Sequence, residues 1–162
     1  MKKERRSKKQ KIGEMLIKAK LITKSQLEKA LRNQKKTRKR LGEILMEMGY
    51  IKSADLVRML SQQAAIRFLE LRVEMLNEKL IKSFPESFLY RNYVIPVIET
   101  GKKLTVAVGD PIDHTIAAGI AKYSDKEIEL TGADPKQIIR LLDRFFLAEQ
   151  TEGILKKTKR SR

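Results

Sequence analysis

The sequence predicts an α+β chain: an N-terminal subdomain of four short helices built from a duplicated motif, followed by a small α/β subdomain with about three strands. Three observations carry this. A segment with helical spacing occurs twice within the first 63 residues, the apolar pattern changes beyond Ile66 to short β-branched runs, and those runs alternate with further helical stretches. With 162 residues, 41% of them hydrophobic, the chain has enough apolar side chains to bury a core.

The duplication aligns Lys11–Gln34 with Arg40–Gln63 without gaps. Gly13/Gly42, Glu14/Glu43, Leu16/Leu45, Ile22/Ile51, Leu27/Leu56, Leu31/Leu60 and Gln34/Gln63 are identical, and Lys11/Arg40 and Ile12/Leu41 are similar. In the first copy Ile12, Met15, Leu16 and Ala19 keep 3.6-residue spacing. Thr23 and Gln26 then have capping-box spacing ahead of a second helix carrying Leu27, Ala30 and Leu31. The second copy repeats the pattern with Leu41, Ile44, Leu45 and Met48, then Leu56 and Leu60. Helices this short do not stand alone in water, so the four must pack against one another. The joint between copies, Lys35 to Lys39, is almost wholly basic.

Asn77 to Phe84 and Pro85 to Arg91 read as short helices, with Pro85 suited to the first helical position. Tyr93 to Glu99 and Leu104 to Val108 read as a hairpin joined through Thr100 to Lys103. Gly109-Asp110-Pro111 ends the second strand, Asp113 to Tyr123 suits a helix, and Glu127 to Leu130 is a third strand. Asp134-Pro135 then opens a final helix as N-cap and first residue, with Ile138, Ile139, Leu142, Phe145 and Phe146 on one face. The implied divisions are a basic arm at 1–10, the duplicated helical subdomain at 11–66, the α/β subdomain at 67–150 and a basic tail at 151–162.

The formal charge of +16 is unevenly placed. Residues 1–40 carry 17 Lys+Arg against 3 Asp+Glu, and residues 153–162 carry five basic and no acidic residues, whereas 41–152 has 14 basic and 17 acidic. Such a distribution suits an anionic partner, whether phosphate ligand, nucleic acid or lipid headgroups, while charged ends also serve solubility. The absence of cysteine excludes a disulfide framework, a thiolate nucleophile and Cys-based metal sites, and a single histidine excludes a His-rich one. No uncharged run exceeds eight residues, against the ~20 apolar residues of a membrane-spanning helix. A cytosolic protein with no transmembrane segment is expected.

Catalytic chemistry is sparsely represented. There is no Gly-x-x-x-x-Gly-Lys-Ser/Thr run, hence no phosphate loop and no self-contained ATPase. His114 follows a strand and a Gly-Asp-Pro turn but lacks a serine partner, and Asp110 and Asp113 fit capping chemistry better than an acid–base pair. No enzyme activity, metal or cofactor is expected.

The informative feature is the start of each copy. An Arg/Lys-Leu/Ile-Gly triplet opening a helix combines a cation, an apolar contact and a glycine permitting close backbone approach, which suits a phosphate at a helix N-terminus. Two triplets, Lys11-Ile12-Gly13 and Arg40-Leu41-Gly42, make two half-sites. Leu27, Leu31, Leu56 and Leu60 could contact flat bases, and Gln34 and Gln63 a polar edge. Alternatively, the leucines are bundle core and the glycines let helices approach.

The copies resemble the tandem motif of the MshEN domain family: Arg-Leu-Gly, two aliphatics, Gly, two aliphatics, then Leu-x-x-x-Leu-x-x-Gln. The second copy carries Arg40, Leu41, Gly42, Leu45, Gly49, Ile51, Leu56, Leu60 and Gln63 at the motif positions, with Met46 and Tyr50 in place of branched aliphatics. The first keeps Gly13, Leu16, Ile17, Leu21, Ile22, Leu27, Leu31 and Gln34, with Lys11 for Arg, Ile12 for Leu and Lys20 for Gly. Lys20 must either adopt the left-handed backbone natural to glycine or end its helix differently.

The resemblance, over about residues 11–148, implies the N-terminal domain of a type II secretion or type IV pilus assembly ATPase. It implies cyclic di-GMP as ligand, bound through both copies, with Arg40 and Lys11 on phosphate or guanine. It also implies protein partners: the ATPase motor or an inner-membrane assembly protein that would hold the chain at the membrane periphery. Docking without nucleotide is the alternative function. Nucleic acid is a third and less favoured partner, since aromatics are only 6% and no recognised nucleic-acid-binding fold accompanies the charge.

Overall fold

A computed structural model describes residues 11–160; the basic arm at 1–10 and the last two residues lie outside the described residues. The first copy forms α1 (Ile12–Lys18) and α2 (Lys24–Thr37), and the second forms α3 (Leu41–Glu47) and α4 (Ser53–Gln63). Packing is reciprocal, α1 against α4 and α2 against α3, so each copy's first helix leans on the other copy's second. Leu16, Ile44, Leu45 and Ala30 are fully buried at the centre of this helical core, with Ile22, Ile51 and Leu56 around them.

Local chemistry accounts for the helix ends. Thr23 caps α2 as expected: its hydroxyl accepts from the Gln26 N–H at 3.2 Å, and its own N–H donates to Gln26 Oε1 at 2.8 Å. The equivalent N-cap in the second copy is Lys52, which offers no side-chain cap. α1 and α3 end in the same motif. The N–H groups of Lys20 and Leu21 donate back to Ile17 O and Leu16 O, and those of Gly49 and Tyr50 to Met46 O and Leu45 O. Lys20 adopts the left-handed branch of the two alternatives, at φ +58°, close to the +71° of Gly49. α2 runs to Thr37, so the joint is shorter than expected, with Arg38 left-handed at φ +58°.

A 3-10 turn at Val73–Met75 precedes α5 (Glu78–Lys82) and α6 (Glu86–Asn92). Pro85 stands one place before its expected position, as the N-cap of α6. β1 (Val94–Glu99) and β2 (Lys103–Val108) pair antiparallel as a hairpin, with a bulge between Pro96 and Ile98. α7 (Thr115–Ala121) then crosses to β3 (Glu127–Gly132), which pairs parallel with β2, giving the order β1-β2-β3. The closing helix α8 (Pro135–Arg160) continues through the segment read as a tail. Ile81, Leu89, Val94, Ile95, Leu104, Val106, Ile120, Ile138 and Leu142 are fully buried in this second core. Among the described residues no helix is long and apolar enough to cross a membrane.

α4 joins the two cores. Val57 is almost fully buried, and Ser61 lies against Gly132 at the end of β3: a Cβ built on Gly132 would fall inside the Ser61 hydroxyl and 3.4 Å from Val57 Cγ1. Gly132 is also gripped by the segment after α4. Its N–H donates to Arg67 O and its carbonyl accepts from the Leu69 N–H, both at 2.7 Å. Gln137 on α8 secures that segment further, donating to Leu71 O at 2.8 Å and accepting from the Leu71 N–H at 3.0 Å.

Two stability outcomes follow. A left-handed backbone costs a non-glycine residue about 1 kcal/mol, so Lys20→Gly is expected to raise the melting temperature by roughly 2–4 °C. A decrease in thermal denaturation would show that unfolded-state entropy outweighs the relieved strain. Gly132→Ala is expected to destabilise by about 1–3 kcal/mol through overpacking, with partial recovery when Ser61→Gly is added. Denaturant titration of the single and double variants measures both.

Candidate ligand site on the duplicated helices

The start of each copy places a cation just ahead of a short helix, since Lys11 and Arg40 are the extended N-cap residues of α1 and α3. Glu43 contributes half of a capping box, its carboxylate accepting from the Arg40 N–H at 3.2 Å. The two side chains differ in their surroundings. Lys11 is exposed and makes no ion pair among the described residues. Arg40 reaches 70 residues along the chain to the Gly-Asp-Pro turn and donates from Nη1 to Asp110 Oδ2 at 2.7 Å.

That carboxylate holds the Arg40 guanidinium above its ordinary pKa. Asp110 is itself organised, its other oxygen accepting from the Ile112 N–H at 3.3 Å. Nearby Asp113 accepts from the Thr115 N–H and hydroxyl, at 2.9 and 2.7 Å. These bonds, aided by the Arg40 charge, hold its carboxyl below the usual carboxylate range. With side-chain exposures of 70% and 31%, Arg40–Asp110 is a solvent-accessible pair worth under about 1 kcal/mol, so an incoming anion can displace it.

The glycines serve helix packing. A Cβ on Gly13 would lie 2.8 Å from Leu27 Cδ1, and one on Gly42 would lie 2.7 Å from Leu56 Cδ2. In each copy the leucine of the second helix therefore seats on the glycine of the first. Leu16 and Leu45 are fully enclosed in the core and offer nothing to a ligand in this structure. Leu56 is buried and Leu27 half-buried, whereas Leu31 is 39% exposed and Leu60 half-buried. Ile12 and Leu41 pack partly against the core. Gln34 ends the first copy beside the start of the second, its amide donating to Lys39 O at 3.2 Å. Gly49 is open, with nothing near where a Cβ would stand.

Sequence reasoning missed the partner of Arg40. In sequence Asp110 reads as a capping or acid–base residue, although its place after a strand, on a turn, makes it available to a distant cation. Sequence reasoning also missed Ser53, whose hydroxyl donates to Asp134 Oδ1 at 2.6 Å and ties α4 to the start of α8. Asp134 caps α8 as expected, the same oxygen accepting from the Lys136 N–H at 3.0 Å. These residues line an open cleft of about 580 Å³ with Gly49, Tyr50, Lys52 and Lys136. His114 is an exposed residue at the start of α7, and among the described residues no cluster of acids and histidine could hold a metal.

Comparison with known proteins places these features. The profile described as the MshEN domain matches residues 64–152, more than half of the chain and immediately after the second motif copy. The type IV pilus assembly ATPase PilB of Myxococcus xanthus (strain DK1622) is 28% identical over 135 residues. That alignment covers 83% of this chain and 24% of PilB. Bacteriophage adsorption protein B of Escherichia coli (strain K12) is 26% identical over 117 residues, or 72% of this chain and 16% of that protein. The chain thus spans at most about a quarter of the length of these relatives.

Among solved structures, MshE with cdg matches with a TM-score of 0.69 and 25% identity, covering 85% of this chain and 99% of that one. The N-terminal domain of XpsE, at 18% identity and a TM-score of 0.55 in one crystal form, covers 89% of this chain and 100% of its own, and shares the fold. With the matched profile spanning the α/β half and the duplicated motif filling the helical half, the chain belongs to the MshEN domain family.

Proposed function

We propose that this chain is a cyclic di-GMP-binding regulatory domain of a type II secretion or type IV pilus ATPase system. The observation that carries the reading is the reciprocal packing of two motif copies, which suits a ligand with two phosphates and two bases related by a two-fold axis. Its support is the likeness to MshE, solved with cdg, across 85% of the chain. In this reading Arg40 and Lys11 meet phosphate or guanine, Leu31 and Leu60, with the half-buried Leu27, offer apolar surface to the bases, and Gln34 and Gln63 meet polar edges. The domain contributes binding rather than a chemical step. Its partners would be the ATPase motor or an inner-membrane assembly protein, in the cytoplasm.

A second reading, protein docking without nucleotide, is favoured by one observation: Arg40 is engaged by Asp110 and the first copy presents Lys11 in place of arginine. A lysine is a point charge, without the planar fork that grips phosphate through two donors.

Calorimetry is expected to give one cyclic di-GMP per monomer; no heat and no NMR shifts at high micromolar ligand would favour docking. Arg40→Ala is expected to weaken binding about tenfold or more and by a larger factor than Lys11→Ala, with melting temperatures nearly unchanged. A greater loss at Lys11 would reverse the assignment of the dominant copy. Asp110→Asn removes the carboxylate that competes for Arg40 and is expected to tighten binding a few-fold. Weaker binding by that variant would make Asp110 a ligand contact.

A further inference from the structure

The outer face of α2 has no role in the proposed nucleotide site. At 100° per residue, Lys24, Lys29, Arg32, Lys35 and Lys36 fall within an arc of about 140°, opposite Leu27, Ala30 and Gln34. All five are exposed. Among the described residues none of them makes an ion pair, whereas the neighbouring Lys39 and Arg40 are engaged by Glu47 and Asp110. The only other residues in the arc are Ser25 and Glu28, so from Lys24 to Lys36, about 18 Å along the helix, the face carries five cations against one acid and no apolar side chain. Residues 1–10 add six cations and one acid in sequence.

We propose that the outer face of α2 is a docking surface for a membrane leaflet rich in anionic headgroups. Charge complementarity selects the occupant class, and the composition of the face selects among anionic partners. A protein interface is normally anchored by buried apolar or aromatic side chains, and this arc has none. Single-stranded nucleic acid is held by aromatic stacking, and the first aromatic residue of the chain is Tyr50. Four of the five cations are lysines, flexible point charges that suit a diffuse charged surface better than fork-shaped recognition of one phosphate. A leaflet asks only for clustered, unpaired cations within a Debye length of it, and attraction accumulates with each one. None of the five cations belongs to the nucleotide reading, which takes Leu27, Leu31 and Gln34 from α2; Leu27 and Gln34 lie across the helix, and Leu31 borders the arc about 20° beyond Lys24.

The test is co-sedimentation of the full chain with phosphatidylcholine vesicles, with and without 30% phosphatidylglycerol, at 0.1 M salt. Binding is expected only with the anionic lipid, and release at 0.5 M salt. The triple variant Lys29→Gln, Arg32→Gln and Lys36→Gln is expected to lose about tenfold or more in partitioning. A control that removes the same charge elsewhere, Lys102→Gln, Lys103→Gln and Lys122→Gln, is expected to lose far less. Melting temperatures of both triples establish that each is folded. Absence of sedimentation with anionic vesicles would overturn the proposal, as would equal losses in the two triples, which would reduce the effect to net charge. Stripping of the protein from vesicles by a short DNA duplex at matched phosphate concentration would reassign the face to nucleic acid.

Discussion

The close approach of α4 to the end of β3 is the constraint on which the arrangement depends. Gly132 has a neighbour on every side: β2 along its ladder, residues 67–69 on the other edge, and Ser61 and Val57 above. A side chain there would lift α4 from the sheet. Because α4 is also half of the second motif copy, the same contact sets where the helical bundle stands and where Arg40 emerges. The ion pair from Arg40 to Asp110 is available only because the bundle is seated at this distance.

Duplication has produced two copies of similar sequence held by different means. α2 is capped by its own Thr23–Gln26 box, a local device worth about 1 kcal/mol that works wherever the helix lies. α4 has Lys52 at that place and no side-chain cap, and Ser53 instead reaches Asp134 on another element. The first copy is therefore supported from within and by its partner copy, and the second by the α/β half as well. Left-handed Lys20 is strain that the better-anchored copy avoids with Gly49.

The secondary structure was readable because each element follows a local rule: 3.6-residue spacing in the copies, β-branched runs in the hairpin, and Asp-Pro at the start of α8. What escaped was chemistry between distant positions. Nothing near Arg40 in sequence points to a carboxylate 70 residues away. Gly132 reads as the end of a strand, and its crowding is visible only once α4 lies over it. The segment 67–72 has no period, since it is held by Gly132 and Gln137 rather than by a partner strand of its own. At the candidate site the motif treats its leucines alike, whereas burial separates them. Leu16 and Leu45 are interior, while Leu31 reaches the surface.

α8 begins three residues beyond Gly132, beside the place where Ser53 meets Asp134. Its 26 residues span about 39 Å, and its first half is held: Ile138 and Leu142 are buried in the core, Phe145 and Phe146 pack against it, and the Tyr90 hydroxyl donates to Asp143 at 2.8 Å. A rod clamped along one half magnifies angle into displacement over the other. A tilt of about 5° at Phe146 would swing the far end, about 21 Å on, by about 2 Å, more than the rise of one residue along a helix. The packing of α6 on α8 thus stands as the fulcrum of the longest helical arm among the described residues.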